Sequence, residues 1–189
     1  MYQASCQVQE QMKKTAFADC LAFLPPSSFH VTIQSLCRVR DKGTPQWPDY
    51  IPEDIKFGQV DSILKKRVDD IAVPDDIVMI FEECLVNNLV VKPYDKQCQD
   101  KLKAYRDQVA EVTGIRHSWH DEFKYHISLN YVVRMLDEKQ IDACNSFCRD
   151  VTEKLKGEAK PFKLSKAEFV IFNDMFSYET DLGKRGELY

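Results

Sequence analysis

The apolar positions of this chain change their spacing several times, and each change marks a predicted element. Apolar residues three and four apart indicate helices, whereas alternating or continuous apolar runs indicate strands. The helical spacing predicts helices over 7–23, 59–71 and 94–112, and a fourth that opens at Asp137 and closes at Gly157. The strand patterns lie at 29–33, at 77–91 as a pair with a tight turn at Asn87-Asn88, at 124–133 and within 162–172.

The order of these elements predicts the fold class. Helices and strands interleave, and a long helix comes directly before each of two strands that contain a histidine. This arrangement predicts an α+β fold with a mainly antiparallel sheet in each of two lobes. The whole chain, 1–189, is expected to form one bilobal domain, with 181–189 as a polar, mobile tail.

Composition and charge limit the classes of protein. The 189 residues are 44% hydrophobic and 30% charged, with a net charge of −4. That charge disfavours a surface that coats nucleic acid, although a small basic pocket remains compatible with it. No signal-peptide pattern opens the chain, and no apolar run approaches the ~20 residues of a membrane span. With seven irregularly spaced cysteines, expected to be reduced, we predict a cytoplasmic protein with no membrane contact and no obligate protein partner.

The most informative feature is a pair of similar pentapeptides. Residues 29–33 read Phe-His-Val-Thr-Ile and residues 125–129 read Tyr-His-Ile-Ser-Leu. In an extended strand alternate side chains point to the same face, so the histidine and hydroxyl of each motif share one face, roughly 7 Å apart. His30 with Thr32, and His126 with Ser128, therefore form two matching polar pairs, which we call the first and second motifs.

Two imidazoles and two hydroxyls suit the chemistry of a phosphodiester. Hydrolysis in one displacement needs a base that takes a proton from water and an acid that gives one to the departing oxygen. Histidine can serve in either role near neutral pH. The hydroxyls of Thr32 and Ser128 can donate to the non-bridging phosphate oxygens, so no metal or other cofactor is expected.

These motifs, about a hundred residues apart, resemble those of the two-histidine (2H) phosphoesterase superfamily. The string Leu-Pro-Pro-Ser-Ser-Phe-His-Val-Thr at 24–32, Trp47-Pro48, and Thr-Gly-Ile-Arg-His at 113–117 are similar to one branch of it. The resemblance covers roughly residues 5–175. It implies a bilobal, pseudo-twofold fold with a cleft between two sheets and one motif from each lobe. It also implies that His30 and His126 are catalytic and that Thr32 and Ser128 bind phosphate.

Further side chains are candidates for contacting substrate. Lys124 precedes His126 by two residues, so it is expected on the same face, either lining the site or facing solvent. Arg116 and Arg38 are candidates for steering a phosphate, and Trp47 is expected either to stack a base or to cap the core. His117, His120 and Asp121 have a composition that suits a metal, but their spacing is not that of a zinc motif.

We therefore expect a metal-independent phosphodiesterase that hydrolyses a 2′,3′-cyclic phosphate or a related 2′–5′ or cyclic nucleotide diester. Its expected partners are a nucleotide, a cyclic phosphate or an RNA end. One alternative is a nuclease or ligase-like enzyme acting on RNA ends. Another is a non-catalytic module that binds nucleotides or RNA ends, and a third is a structural protein whose motifs are coincidental. The near-symmetry of the motifs leaves open which histidine is the acid.

Overall fold

The computed structural model describes residues 1–172 and 174–184. Its main elements in chain order are α1 (Tyr2–Met12), β1 (Leu21–Phe23), α2 (Phe57–Val68), β2 (Val78–Cys84), β3 (Asn88–Pro93), α3 (Lys96–Thr113), β4 (Tyr125–Ser128), β5 (Asn130–Val132), α4 (Glu138–Glu158) and β6 (Phe162–Lys163). Short 3₁₀ helices span Ala18–Cys20, Pro26–Ser28, Val39–Asp41 and Leu182–Lys184. The fold is α+β, as the sequence predicts.

The strands form two antiparallel sheets. One pairs β1 with β5, and the other has the strand order β4-β3-β2-β6. The chain divides into two compact units, the first made of Met1–Thr32, Val78–Asp95 and Lys124–Lys163. The second contains Ile33–Ile77, Lys96–Phe123 and the described residues from Leu164 on. Both histidine motifs lie in the first unit, so these units do not carry one motif each, as the lobes are expected to.

The first unit is built on strand β2. Met79, Phe81 and Cys84 of this strand are buried, while the residues between them are partly exposed. Helix α4 packs against β2, and the Cys84 amide donates to the Thr152 hydroxyl oxygen at 2.9 Å. The helix begins with a capping box, since the Asp137 carboxylate accepts from the Gln140 amide and the Gln140 side chain accepts from the Asp137 amide.

The second unit packs α2 against α3. Its buried core combines residues of the loop that contains Pro45, Pro48 and Pro52 with residues of α2 and of the chain after α3, namely Trp47, Ile51, Phe57, Val60, Leu64 and Ile115. Helix α3 ends where Gly114 adopts a φ of +67°, a conformation that a residue with a Cβ adopts only with strain.

The first predicted helix is wrong in its extent. It runs over Tyr2–Met12 instead of continuing to Phe23, and Leu21–Phe23 form strand β1. Apolar spacing alone does not separate these two outcomes over a few residues. The strand forms because β5 supplies hydrogen-bonding partners for its backbone, and that partner lies more than a hundred residues away.

The predicted strand around the first motif is also wrong. In the described chain no strand includes residues 24–77, and the side chains of 29–33 are all partly buried instead of alternating. The β1–β5 pairing continues as far as the Leu24 amide, which donates to the Leu129 carbonyl oxygen at 3.0 Å. Pro25 and Pro26 follow and have no N–H to continue the ladder, so the chain turns through the 3₁₀ helix Pro26–Ser28.

The predicted strand over 124–133 exists as two strands. β4 pairs with β3, whereas β5 pairs with β1, and the break falls at Leu129. The amides of Leu129 and Asn130 both donate to the Asn87 carbonyl oxygen, at 2.9 and 3.4 Å. The predicted pair of strands with a turn at Asn87-Asn88 is confirmed as β2 and β3.

The last described residues, 174–184, make local contacts. Residues 182–184 form a 3₁₀ helix, and the Lys184 ammonium pairs with the Glu179 carboxylate at 3.1 Å. The mobility predicted for 181–189 stays a prediction, and 185–189 lie outside the described part of the chain. None of the described helices is both long enough and apolar enough to cross a membrane.

Candidate active site

A buried glutamine joins the chain segments that lead to the two motifs. The Gln9 side-chain amide donates to the carbonyl oxygens of Leu24 and Leu129, both at 2.8 Å. Gln9 has no exposed surface, so both hydrogen bonds are shielded from water. The first motif begins six residues after Leu24, and the second ends directly before Leu129. Each motif is therefore anchored close to the same buried junction.

The first motif follows the 3₁₀ turn. The Ser28 amide and hydroxyl both donate to the Pro25 carbonyl oxygen, at 2.9 and 2.8 Å, which fixes the turn. The Ser28 carbonyl oxygen lies 2.8 Å from Nδ1 of His30, and a carbonyl can only accept, so Nδ1 carries a proton. Nε2 of the same ring lies 3.2 Å from the Thr32 hydroxyl oxygen.

The second motif lies on β4, and here the predicted alternation is confirmed. Tyr125 and Ile127 are buried, whereas His126 and Ser128 are partly exposed on the opposite face. Nδ1 of His126 lies 3.1 Å from the Lys124 carbonyl oxygen, so it also carries a proton.

The two histidines therefore share one arrangement. In each case the carbonyl of the residue two positions earlier accepts from Nδ1, which fixes the ring and its tautomer. In the neutral ring this leaves the lone pair on Nε2, and the two Nε2 atoms are the positions at which a proton can be taken up. A strand is not needed for this arrangement, since only the second motif has one.

Strand β3 supplies the neighbours of the second motif. Asn88 pairs with Ser128, and Val90 pairs with His126. Lys92 lies two residues beyond Val90 and so belongs to the same face. Lys92 also pairs with the Glu82 carboxylate at 3.0 Å. The Lys124 side chain is exposed, which fits both expectations for it, a place at the site or in solvent. Its backbone carbonyl accepts the hydrogen bond from His126.

Tyr131 is a neighbour of the second motif that the sequence does not predict. Burial raises the pKa of its hydroxyl, and a hydrogen bond with the Ser128 side chain acts in the opposite direction. A strand running unbroken through 128–131 would put the two residues on opposite faces. The break at Leu129 removes that alternation, and no spacing in the sequence signals the contact.

The other predicted contact residues lie in the second unit, each with a partner there. Arg38 pairs with Asp41 at 3.2 Å. Trp47 is only 6% exposed, and its indole N–H donates to the Ile51 carbonyl oxygen at 2.7 Å. Its ring packs within the core, near that of Phe57, and has no open face for a base. Trp47 is therefore a core residue, the second of the two expectations for it, and its ring is not accessible for stacking on a base.

Arg116 belongs to an ion-pair network. Its guanidinium pairs with Asp107 at 3.1 Å and with Asp121 at 2.8 Å. Lys103, followed by His120 and then Arg116, holds the pKa of the Asp107 carboxyl well below its usual range. The carboxylates already have cationic partners, and Arg116 is bound to them.

The group of possible metal ligands in this network differs from the group suggested by the sequence, which was His117, His120 and Asp121. Ligand atoms of Asp107, His120 and Asp121 lie within 4.8 Å of one another, while His117 is not part of the group. His120 Nε2 lies 2.9 Å from the Asp107 carboxylate, and Arg116 and Lys103 neutralise the acids. His117 stacks on Trp119 with ring centroids 4.4 Å apart, and its Nε2 lies 3.2 Å from the Ser35 carbonyl oxygen.

Comparisons with known proteins bear on the family and the fold. Residues 1–89 match the family model described as "2H-phosphodiest: Domain of unknown function (DUF1868)". The matched segment contains His30 and Thr32 and ends before His126. No curated protein matches the chain significantly.

A solved structure resembles most of the chain. It is a conserved protein of unknown function, ATU0111, from Agrobacterium tumefaciens, with a TM-score of 0.87 and 23% identical residues. The match covers 95% of this chain and 77% of that one. At this identity the likeness establishes a shared fold and carries no information about activity.

Proposed function

We propose, from the 2H-phosphodiesterase family model that matches residues 1–89, that the chain is a member of the two-histidine phosphoesterase superfamily and a metal-independent phosphodiesterase. The proposed substrates are 2′,3′-cyclic phosphates or related 2′–5′ and cyclic nucleotide diesters. In this proposal the motifs face one phosphate in a pseudo-twofold arrangement, and the protein is cytoplasmic.

The observation that carries the proposal is the shared state of the two imidazoles. A carbonyl oxygen accepts from Nδ1 in both, so both rings offer Nε2 for proton transfer. A histidine that only filled a core would not need this repeated orientation. Fixed rings reduce the cost of orienting the acid and the base for the reaction.

The reaction adds water across one phosphorus–oxygen bond. One Nε2 accepts a proton from water as its oxygen attacks phosphorus, and the other Nε2 gives a proton to the ribose oxygen that leaves. Thr32 and Ser128 donate to the non-bridging oxygens, on which negative charge accumulates. Lys124 and Lys92 are the nearby cations that we propose to attract the phosphate, because both belong to the first unit.

The test is turnover of 2′,3′-cyclic nucleotides and 2′–5′ linked oligonucleotides in EDTA. His30→Ala and His126→Ala are each expected to lose about 10²- to 10⁴-fold in kcat, the usual contribution of a general acid or base. His117→Gln is the matched control, since this histidine lies outside both motifs. Binding without turnover would favour the nucleotide-binding module, and activity that EDTA abolishes would contradict the metal-independent mechanism.

A further inference from the structure

Two lysines lie opposite each other on the sheet face that carries the second motif. Strands β3 and β4 are antiparallel, and Val90 lies opposite His126. The same register puts Lys92 opposite Lys124 two residues further along, so all four residues share one face. Both lysines are exposed, and their row of the sheet is roughly 7 Å from the row of His126. We call Lys92 and Lys124 the lysine row.

The lysine row is unfavourable for the fold by itself. Directly opposite residues of an antiparallel pair have Cβ atoms about 4.5–5.5 Å apart, and like charges at that separation repel each other. Lys92 is partly compensated, because its ammonium pairs with the Glu82 carboxylate at 3.0 Å. Lys124 forms no ion pair with any residue that the structure describes. An anion that bridges the two ammonium groups would remove the repulsion.

A bulge in strand β2 supplies the carboxylate that holds Lys92. The pairing of β2 with β3 shifts between Phe81 and Glu83, so β2 has one extra residue there, Glu82. The bulge leaves Glu82 and Glu83 both partly exposed, and Glu83 lies beside Val90, outside the lysine row. The Lys92–Glu82 pair is itself exposed, with 55% and 40% of the two side chains accessible, so another anion can displace Glu82.

The place of the lysine row relative to the second motif indicates which anion it suits. In the proposed reaction the phosphate that reacts lies at His126 and Ser128. The lysine row lies on the other side of His126 from Ser128, and is therefore one row beyond the reacting phosphate. A nucleotide with a 2′,3′-cyclic phosphate carries its 5′-phosphate on the other side of one ribose. A ribose spans a separation similar to that of adjacent rows, roughly 7 Å.

We propose that Lys92 and Lys124 form a subsite for a second phosphate of the substrate, one ribose away from the phosphate that reacts. This inference deepens the proposed function and rests on it. The preferred substrates are nucleotides that carry a 5′-phosphate in addition to the cyclic phosphate. A phosphate offers oxygens to both ammonium groups, and such charge-assisted hydrogen bonds are stronger than those between neutral groups. In the free protein Glu82 holds Lys92, and the second phosphate takes its place.

The test compares two substrates that differ only in the second phosphate, namely adenosine 2′,3′-cyclic phosphate with and without a 5′-phosphate. The wild-type kcat/KM is expected to be at least about tenfold higher for the 5′-phosphorylated compound, the effect of one hydrogen bond to a charged group. Lys92→Gln and Lys124→Gln are each expected to lower this ratio about three- to tenfold. Lys154→Gln, at an exposed lysine of α4, removes the same charge and should keep the wild-type ratio.

Glu82→Gln separates a binding role of Lys92 from a structural one. Removing the carboxylate releases Lys92 for the phosphate, so the ratio is expected to rise about two- to fivefold, the worth of an exposed ion pair. Lys92→Gln changes the ratio in the opposite direction. If the ion pair only stabilised the sheet, neither variant would change the ratio, and that result would overturn the subsite.

The failure of the subsite and the failure of the proposed function give different results. Equal kcat/KM for the two substrates in the wild-type protein would overturn the subsite and leave the proposed function intact. Hydrolysis of neither substrate would contradict the proposed function, and calorimetric titration then decides the subsite. Adenosine 3′,5′-bisphosphate should bind at least about tenfold more tightly than adenosine 3′-phosphate, with the difference lost in Lys92→Gln. Equal affinities for the two nucleotides would overturn the subsite.

Discussion

Gln9 donates a hydrogen bond to the carbonyl oxygen of Leu129, 120 residues further along the chain, at 2.8 Å. The same amide group binds the Leu24 carbonyl, so one side chain on α1 fastens the segments next to both motifs. The position of each motif therefore depends on a residue that takes no part in the chemistry.

Replacing Gln9 with methionine, which has a similar volume, is expected to destabilise the protein by about 1–3 kcal/mol. The carbonyl oxygens of Leu24 and Leu129 each lose a buried donor, while the Leu129 oxygen keeps the one from the Leu24 amide, and losing hydrogen bonds to buried polar atoms has a cost of that order. Urea unfolding measures the effect. Gln11→Met on the exposed side of the same helix is the control. An equal loss of stability in both variants would contradict a stabilising role for the two buried hydrogen bonds of Gln9.

Trp47→Phe is expected to lower stability without changing KM for a nucleotide substrate. The shorter ring leaves space in the core of the second unit, and the hydrogen bond to Ile51 is lost. Thermal unfolding and steady-state kinetics give the two readouts. Trp119→Phe, at a partly exposed ring, provides a comparison, and a rise in KM specific to Trp47→Phe would restore the base-stacking role.

The network around Asp107 predicts a loss of stability in acid. Lys103, then His120 and Arg116, depress the pKa of this carboxyl, so folding favours its charged form. The stabilisation is complete above the unfolded carboxyl pKa of about 3.9 and is lost as the pH falls towards the lower folded value.

Urea unfolding of wild type and Asp107→Asn, compared between neutral pH and about pH 2.5, tests this expectation. The difference in stability should be greatest at neutral pH and shrink below about pH 4. Asp49→Asn, an exposed acid in the same unit, should differ little from wild type at any pH. A difference for Asp107→Asn that grows in acid would have the wrong sign for the network.

Tyr131→Phe is expected to lower kcat/KM because Ser128 loses the partner that orients its hydroxyl. The loss should disappear when Ser128 is already alanine, since the phenol would then have nothing to position. Kinetics on the four proteins of this double-mutant cycle measure the coupling. Tyr105→Phe is the control for removing a half-buried phenol, and additive losses would show that Tyr131 acts independently of Ser128.

The sequence predicts those parts of the fold that depend on local spacing. The alternation at 125–128 is a local property, and it correctly places His126 and Ser128 on one face. The same reasoning fails at 29–33, because a strand also requires a partner for its backbone. Pro25 and Pro26 end the pairing with β5, and the effect of those prolines depends on a partner that the local sequence does not specify.

The sequence pattern also does not predict the tertiary contacts of polar residues near the site. Gln9 stands in a helical stripe with Ser5, Val8 and Met12, all of them buried, so the spacing contains a signal for it. Tyr131 has no comparable signal, because its contact with Ser128 depends on the break at Leu129. The shared Nδ1 hydrogen bonds are likewise invisible in the sequence, since they involve backbone carbonyls.

The division of the chain between its two compact units has a consequence for any fragment of this protein. The first unit is assembled from three separate stretches, and β1 pairs with a strand that the chain reaches only after most of the second unit. A fragment ending at residue 89, where the family match ends, would contain the first histidine but lack both the second and the partner of β1. A smaller protein that keeps the site would therefore have to shorten the two intervening segments, 33–77 and 96–123, and retain the chain on both sides of each.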